Sequence, residues 1–221
     1  GDGSSVGTWT DQSGNGNDAS ATGSGPTFQS TGFGGQPALN FSSNRLTGSL
    51  TKIDAVSVFV VGDFSTDSGV MEIYDDVTGY RNLVGVNGNG NLRYGTDTDN
   101  QQQCGFFGCS GGLEFVLGSG SSGVYSAVHS GEDVTLSSGG TISTGTLDAA
   151  DRANSFVIGD DQGGGDQDRP RTSGDIAEVI VYNKALNAAH RTIVENYLAA
   201  KYGQSLSGDV YSSSTYTQDV F

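Results

Sequence analysis

The stretch Gly159–Arg169, GDDQGGGDQDR, places Asp160, Asp161, Asp166 and Asp168 close together on a glycine-rich run, with Gln162 among them. A hard cation such as Ca²⁺ takes roughly six to eight oxygens from carboxylates, amides and backbone carbonyls, and this run would supply several. The spacing is not that of an EF-hand, whose ligands fall at fixed alternate positions and end on a Glu. A second acidic stretch, YGTDTDNQQQ, adds Asp97, Asp99 and Asn100. For any single acid the alternative is solvated surface charge. The next residues, QQQCGFFGC, run from Gln101 to Cys109 and hold both cysteines of the chain. Gln101, Gln102 and Gln103 each offer a donor and an acceptor to a peptide backbone or to sugar hydroxyls. Phe106 and Phe107 offer flat apolar faces to a side chain or a sugar ring, unless one of them plugs the core. Asn100 and Arg93 complete this set of candidate ligand contacts. A Cys104–Cys109 disulfide would pre-order the loop and implies an oxidising, extracellular setting. The rival, a zinc site, needs two more ligands, and His129 and His190 lie far away in sequence.

Catalytic constellations are sparse. Retaining glycoside hydrolysis needs two carboxyls roughly 5–5.5 Å apart, and sandwich enzymes often carry them at alternate positions of one strand. In DIAEVIVY, Asp175 and Glu178 are three apart, so a regular strand turns them to opposite faces. Glu178 then reads as structural, bonding loop amides. No G-x-S-x-G elbow accompanies His129 or His190. The chain is expected not to be an enzyme, with a polysaccharide lyase or hydrolase as the outlying alternative.

The elements that position these residues are strands. The 221 residues include 36 Gly and only 3 Pro, and Val, Ile, Thr, Ser and Tyr are common. That composition suits many short strands joined by glycine turns in one large domain. AVSVFVVGDF, from Ala55 to Phe64, is apolar almost throughout, which predicts a central strand. DIAEVIVYN is a second strong strand, and VNGNGNL reads as a hairpin turn. QPALNFSSNRLTGSL alternates Leu39, Phe41 and Leu46 in half-buried style. The one helix follows Asn187 as N-cap, with Ile193, Val194, Tyr197 and Leu198 at helical spacing, and stops at Gly203. The expected architecture is an all-β, two-sheet jelly-roll sandwich over residues 1–203, with one C-terminal helix; residues 204–221 are a further strand or a linker tail. The formal net charge of −15 disfavours nucleic acid and anionic lipid. No run of about 18 apolar residues encodes a membrane span. Gly1 reads as an excision boundary, so the missing signal peptide says nothing of the compartment.

Three segments carry a family likeness: WTDQSGNGNDA (Trp9–Ala19), FVIGDDQ (Phe156–Gln162) and SGDIAEVIVYNKALNAAHRTIVENYLAAKYG (Ser173–Gly203). Together they resemble the laminin-G-like, concanavalin-A-type jelly rolls of bacterial surface proteins, and more closely the ligand-binding modules of RTX adhesins. The resemblance implies a non-catalytic extracellular module within a multidomain chain at the cell surface. It implies Ca²⁺ as cofactor and a peptide ligand, such as a free C-terminus on a partner cell or protein, serving adhesion and biofilm formation. A glycan ligand on the same scaffold is the alternative. Glycan binders usually display exposed Trp or Tyr platforms, and the one Trp, Trp9, falls in a family segment and is expected to pack internally.

Overall fold

The computed structural model describes residues 1–66, 68–75, 81–86, 89–97, 113–117, 121–147, 153–160 and 171–207. Its strands are β1 (Thr8–Trp9), β2 (Ala19–Ala21), β3 (Thr27–Phe33), β4 (Gln36–Ser42), β5 (Leu46–Ile53), β6 (Val56–Phe64), β7 (Ser68–Tyr74) and β8 (Arg81–Val86). They continue as β9 (Leu92–Asp97), β10 (Leu113–Leu117), β11 (Ser122–Ser130), β12 (Asp133–Ser138), β13 (Thr141–Thr146), β14 (Ala153–Ile158) and β15 (Ser173–Tyr182), before α1 (Ala188–Tyr202). They form two antiparallel sheets, ordered β1-β2-β5-β14-β7-β8-β9-β10 and β13-β12-β11-β6-β15-β4-β3. This is the all-β sandwich with one late helix that the sequence predicts.

The near-continuous apolar run of β6 has a direct cause. β6 is the middle strand of its sheet and is covered on both faces. Val56, Val58, Val60 and Phe64 point between the sheets, where they meet Phe41, Leu46, Ile73, Phe156 and Ile176. Phe59 and Val61 point the other way, into a second cluster with Leu198, Ala199 and Tyr202 of α1. Fully burying one such side chain stabilises the fold by roughly 1.5–3 kcal/mol, so both layers matter to β6. The QPALNFSSNRLTGSL stretch supplies β4 and the start of β5, with a break at Ser43, which has a φ of 61°; Phe41 and Leu46 on either side are fully rather than half buried.

A polar contact joins the two sheets through the core. Tyr94 on β9 donates its hydroxyl to Asn82 Oδ1 at 3.2 Å. That leaves His129 Nδ1, on β11 and 3.1 Å away, as the donor to the Tyr94 oxygen. His129 is wholly buried. Burial pushes the Tyr94 phenol well above its usual range.

Helix α1 is bounded as its caps predict. The Asn187 side chain accepts from the His190 amide, and Gly203 adopts the left-handed conformation at φ 62°. Its buried face differs from the expected one. Ile193 and Tyr197 are 45% and 44% exposed, while Arg191 and Glu195 are buried. The reason lies in the sheet beneath: Ser126 on β11 donates to Glu195 Oε1 at 2.6 Å, and Arg191 Nε stands 3.5 Å from the same oxygen. The helix docks on a polar seat flanked by apolar contacts, so the apolar stripe alone misplaces its inner face. Residues 204–207 fold back over the sheet, where the Ser207 amide donates to Gly139 O.

Candidate functional site

A cleft of about 490 Å³ opens between the N-terminal loop and β15. Apart from Leu50 and Met71, every lining residue belongs to Trp9–Ala19, to Phe156–Ile158 or to Ala177–Tyr202. The three segments that carry the family likeness therefore meet at one surface feature. Its floor is the inner face of the larger sheet, with Leu50, Met71, Phe156 and Ile158. Trp9 packs partly against the core and partly lines this cleft, so it is not wholly internal.

The loop wall is built by one carboxylate. Asp11 Oδ1 accepts from the Ser13 amide at 2.8 Å, and Oδ2 accepts from Ser13 Oγ at 2.8 Å and the Asn17 amide at 2.9 Å. Asp18 Oδ1 takes the Asp11 amide at 2.8 Å. Gly14 and Gly16 sit at φ 82° and 74°, a conformation the turn demands and other residues resist. The Ser13 and Asn17 amides hold the Asp11 carboxyl below the ordinary aspartate range.

The opposite wall is β15, which is not a regular strand. Its register against β6 shifts between Ile176 and Glu178, so Asp175 lies opposite Asp63, Ile176 opposite Gly62 and Glu178 opposite Val61. This β-bulge absorbs Ala177. It overturns the opposite-face expectation: the extra residue brings Asp175 and Glu178 onto the same, helix-side face. Each carboxylate is already engaged. Asp175 Oδ1 accepts from Asn40 at 2.8 Å. Glu178 Oε2 accepts from Lys201 Nζ at 2.7 Å and from the Tyr202 hydroxyl at 2.9 Å, so it bonds the end of α1 rather than loop amides. Lys201 Nζ also lies 5.3 Å from the Tyr202 ring centroid. Burial, then the bond to Glu178, pushes the Tyr202 phenol up to about 12. For Lys201 burial alone would lower the ammonium, but the Glu178 bond and charge outweigh it and leave it raised.

The acidic loop starts from a tight neck. Asp160 is 3% exposed, and its Oδ2 lies 3.0 Å from Arg171 Nε and 3.8 Å from Arg45 Nη1. The Thr172 amide donates to Gly159 O, and the Gly159 amide donates to Val70 O. Arg171 Nη1 also donates to Ser43 O at 3.0 Å. Asp160, an expected calcium ligand, thus already has guanidinium countercharge. Asp97 ends β9 opposite Arg81. Arg93, on β9, is 8% exposed, so its side chain is covered rather than presented. Asp99, Asn100, Gln101, Gln102, Gln103, Cys104, Phe106, Phe107, Cys109, Asp161, Gln162, Asp166 and Asp168 lie outside the described residues. Among the described residues, no group of three or more His, Cys, Asp or Glu side chains converges to hold a metal.

No protein-family model matches the sequence, and no curated protein matches it. Solved structures do match in three dimensions. Domain 4 of AbnA, a GH43 extracellular arabinanase from Geobacillus stearothermophilus, solved with arabinotriose, is 15% identical. The match covers 88% of this chain and all of that domain, with a TM-score of 0.54. Botulinum neurotoxin type C, in a structure concerned with its interaction with two ganglioside molecules, is 10% identical, with a TM-score of 0.52. That match covers 88% of this chain and 51% of the toxin chain. The chain is a two-sheet jelly-roll sandwich of this kind.

Proposed function

We propose that the chain is a non-catalytic, extracellular ligand-binding module of a bacterial surface adhesin, and that its ligand lies in the cleft between the Asp11 loop and β15. The convergence of all three family segments on that cleft carries the reading. Its volume falls in the range of about 300–1,000 Å³ usual for ligand sites, and it pairs an apolar floor with polar walls. The carboxylates at its walls are already engaged by protein donors, which supports the non-catalytic reading. Asp11 is held in its ionised form by loop amides, and Glu178 accepts two hydrogen bonds on one oxygen. A hydrolase of the retaining kind needs one carboxyl held protonated.

A peptide is the leading ligand class. A glycan is the second reading, favoured by the likeness to a domain solved with arabinotriose and by Trp9 at the cleft. Calcium belongs to this proposal through Asp161, Gln162, Asp166, Asp168 and Asp99, with Asp160 serving to hold the loop's neck. The test is a glycan array and a peptide library, each screened with Ca²⁺ and with chelator. Binding in either library supports a ligand module, and loss with chelator supports the calcium role. Silence in both screens, or release of sugar from a polysaccharide, overturns the module reading.

A further inference from the structure

β15 has one satisfied edge and one open edge. On one side it pairs with β6 from Gly174 to Tyr182. On the other it pairs with β4 only through Ser173–Ile176, and among the described residues no strand pairs it beyond that point. Residues Ala177–Val181 instead line the cleft. In an antiparallel sheet about half the amides and carbonyls of a strand point to each side, so this stretch turns unpaired backbone groups into the cleft. The Tyr202 hydroxyl lies 3.3 Å from one of them, Ala177 O, but its single proton is shared with the shorter bond to Glu178 Oε2 at 2.9 Å, so this carbonyl keeps acceptor capacity for an incoming amide.

We infer that the cleft captures an extended peptide of a partner protein as an added strand along Ala177–Val181, a peptide in which apolar and basic residues alternate. This rests on the ligand-module reading and specifies its ligand and mode of capture. The backbone edge selects a peptide, because a sugar cannot continue the ladder of alternating donors and acceptors. The side-chain pattern follows from strand geometry. Val179 and Val181 face the core, so alternate residues of an added strand also face inward, over Leu50, Phe156 and Ile158, and must be apolar. The intervening residues face the rim. There Asp11 and Glu178 line the cleft and Asp18 backs Asp11, against the single ammonium of Lys201. Both bonds to Glu178 fall on Oε2, so its second oxygen has no protein donor among the described residues. With a formal net charge of −15 behind them, these acids favour a cationic strand. The chain's own last residues, Gly208–Phe221, fit the edge less well: they carry Asp209 and Asp219 and no Lys or Arg.

Trp9, the only tryptophan, lines the cleft and reports on it directly. The full chain is titrated with a blocked hexapeptide of alternating Val and Lys while Trp9 emission is followed. Two comparison peptides are used: the same peptide N-methylated at alternate amides, and one of alternating Val and Glu. Saturable binding of the Val–Lys peptide is expected. N-methylation should weaken it at least about tenfold, the ~1.4 kcal/mol of one or two lost backbone hydrogen bonds. The Val–Glu peptide should bind more weakly still, and the variant Gln12→Lys/Asn15→Lys should weaken the Val–Lys peptide several-fold without altering the fold. Equal binding of the N-methylated peptide would show side-chain capture alone and overturn strand addition while leaving the module reading intact. Displacement of the Val–Lys peptide by a free Gly208–Phe221 peptide would assign the edge to the chain's own tail and overturn the proposal. Binding of glycans but of no peptide would overturn it in favour of the second reading.

Discussion

Asp11 and Asp160 are the same residue used in opposite ways. Asp11 stands on an exposed loop and spends its oxygens on backbone amides, so its charge shapes a turn. Asp160 is buried and spends its charge on two guanidinium groups, so it closes a neck between distant parts of the chain. The first is local chemistry: donor and acceptor lie within six residues, and the sequence signals it as an Asp followed by Ser, Gly and Asn. The second joins Asp160 to Arg45 and Arg171, and no spacing announces it. A carboxylate count therefore does not tell a ligand from a clamp; what the carboxylate already touches does.

The largest expected effect lies where β15 departs from regularity. A Cβ at Gly62 would collide with the carbonyl oxygen of Asp175 and with the Phe64 ring. Gly62→Ala should therefore strain the bulge itself, costing about 3 kcal/mol and lowering Tm by roughly 6–12 °C. An unchanged Tm would mean that the bulge yields easily, and that the cleft edge is softer than its geometry implies.

Asp160→Ala should come next. Breaking a fully buried pair costs about 3–5 kcal/mol. Here the Arg45 and Arg171 side chains are 30% and 44% exposed, so water screens the charges left behind. About 2 kcal/mol is expected, and the loss in Tm should be the same with calcium and with chelator. Asp166→Ala and Asp168→Ala should instead remove only a calcium-linked rise in Tm. If Asp160→Ala destabilises only when calcium is present, Asp160 is a ligand after all and the clamp reading fails.

Asp11→Ala should cost about 1 kcal/mol, the size of a lost helix cap, because the same kind of side-chain-to-amide bonds disappear. The sign of its pH dependence follows from the lowered carboxyl. Its contribution is complete above the ordinary value of 3.8 and is lost as pH falls through the lower folded value. Wild-type protein should lose loop order, read from Trp9 emission, at a lower pH than the free carboxyl titrates. In Asp11→Asn that acid transition should vanish, and its persistence would place the titrating group elsewhere.

The same contrast explains what the sequence discloses. The central place of β6 was legible because both of its faces are covered, and double burial leaves a continuous apolar run. The caps of α1 were legible because Asn187 and Gly203 act on their own neighbours. The helix's inner face was not, because Ser126 on a distant strand makes a buried seat for Glu195. The bulge at Ala177 was hidden as well. A regular strand reading turns Asp175 and Glu178 apart, and only the pairing with Gly62 and Val61 reveals the extra residue. The cleft lay in view as three segments, but what joins them is tertiary: a loop, a strand edge and a helix end that never approach one another in sequence.

The smallest effect tests the helix end of that junction. The Tyr202 phenol is raised from 10.0 to about 12, first by burial and then by its bond to Glu178. A raised value means that the neutral form belongs to the folded state. Its stabilisation is complete below pH 10 and is lost as pH rises toward 12. Between those limits Tyr202 should remain protonated while exposed tyrosines ionise. The difference in phenolate absorbance between wild type and Tyr202→Phe should therefore appear late in an alkaline titration. Tyr202→Phe itself should cost under about 1 kcal/mol, since its ring still packs on Phe33 and Glu178 Oε2 keeps its bond from Lys201 when the hydroxyl is removed. If the Tyr202 signal instead appears near pH 10, the hydroxyl is not held against Glu178, and the cleft is open at its helix end as well as along β15.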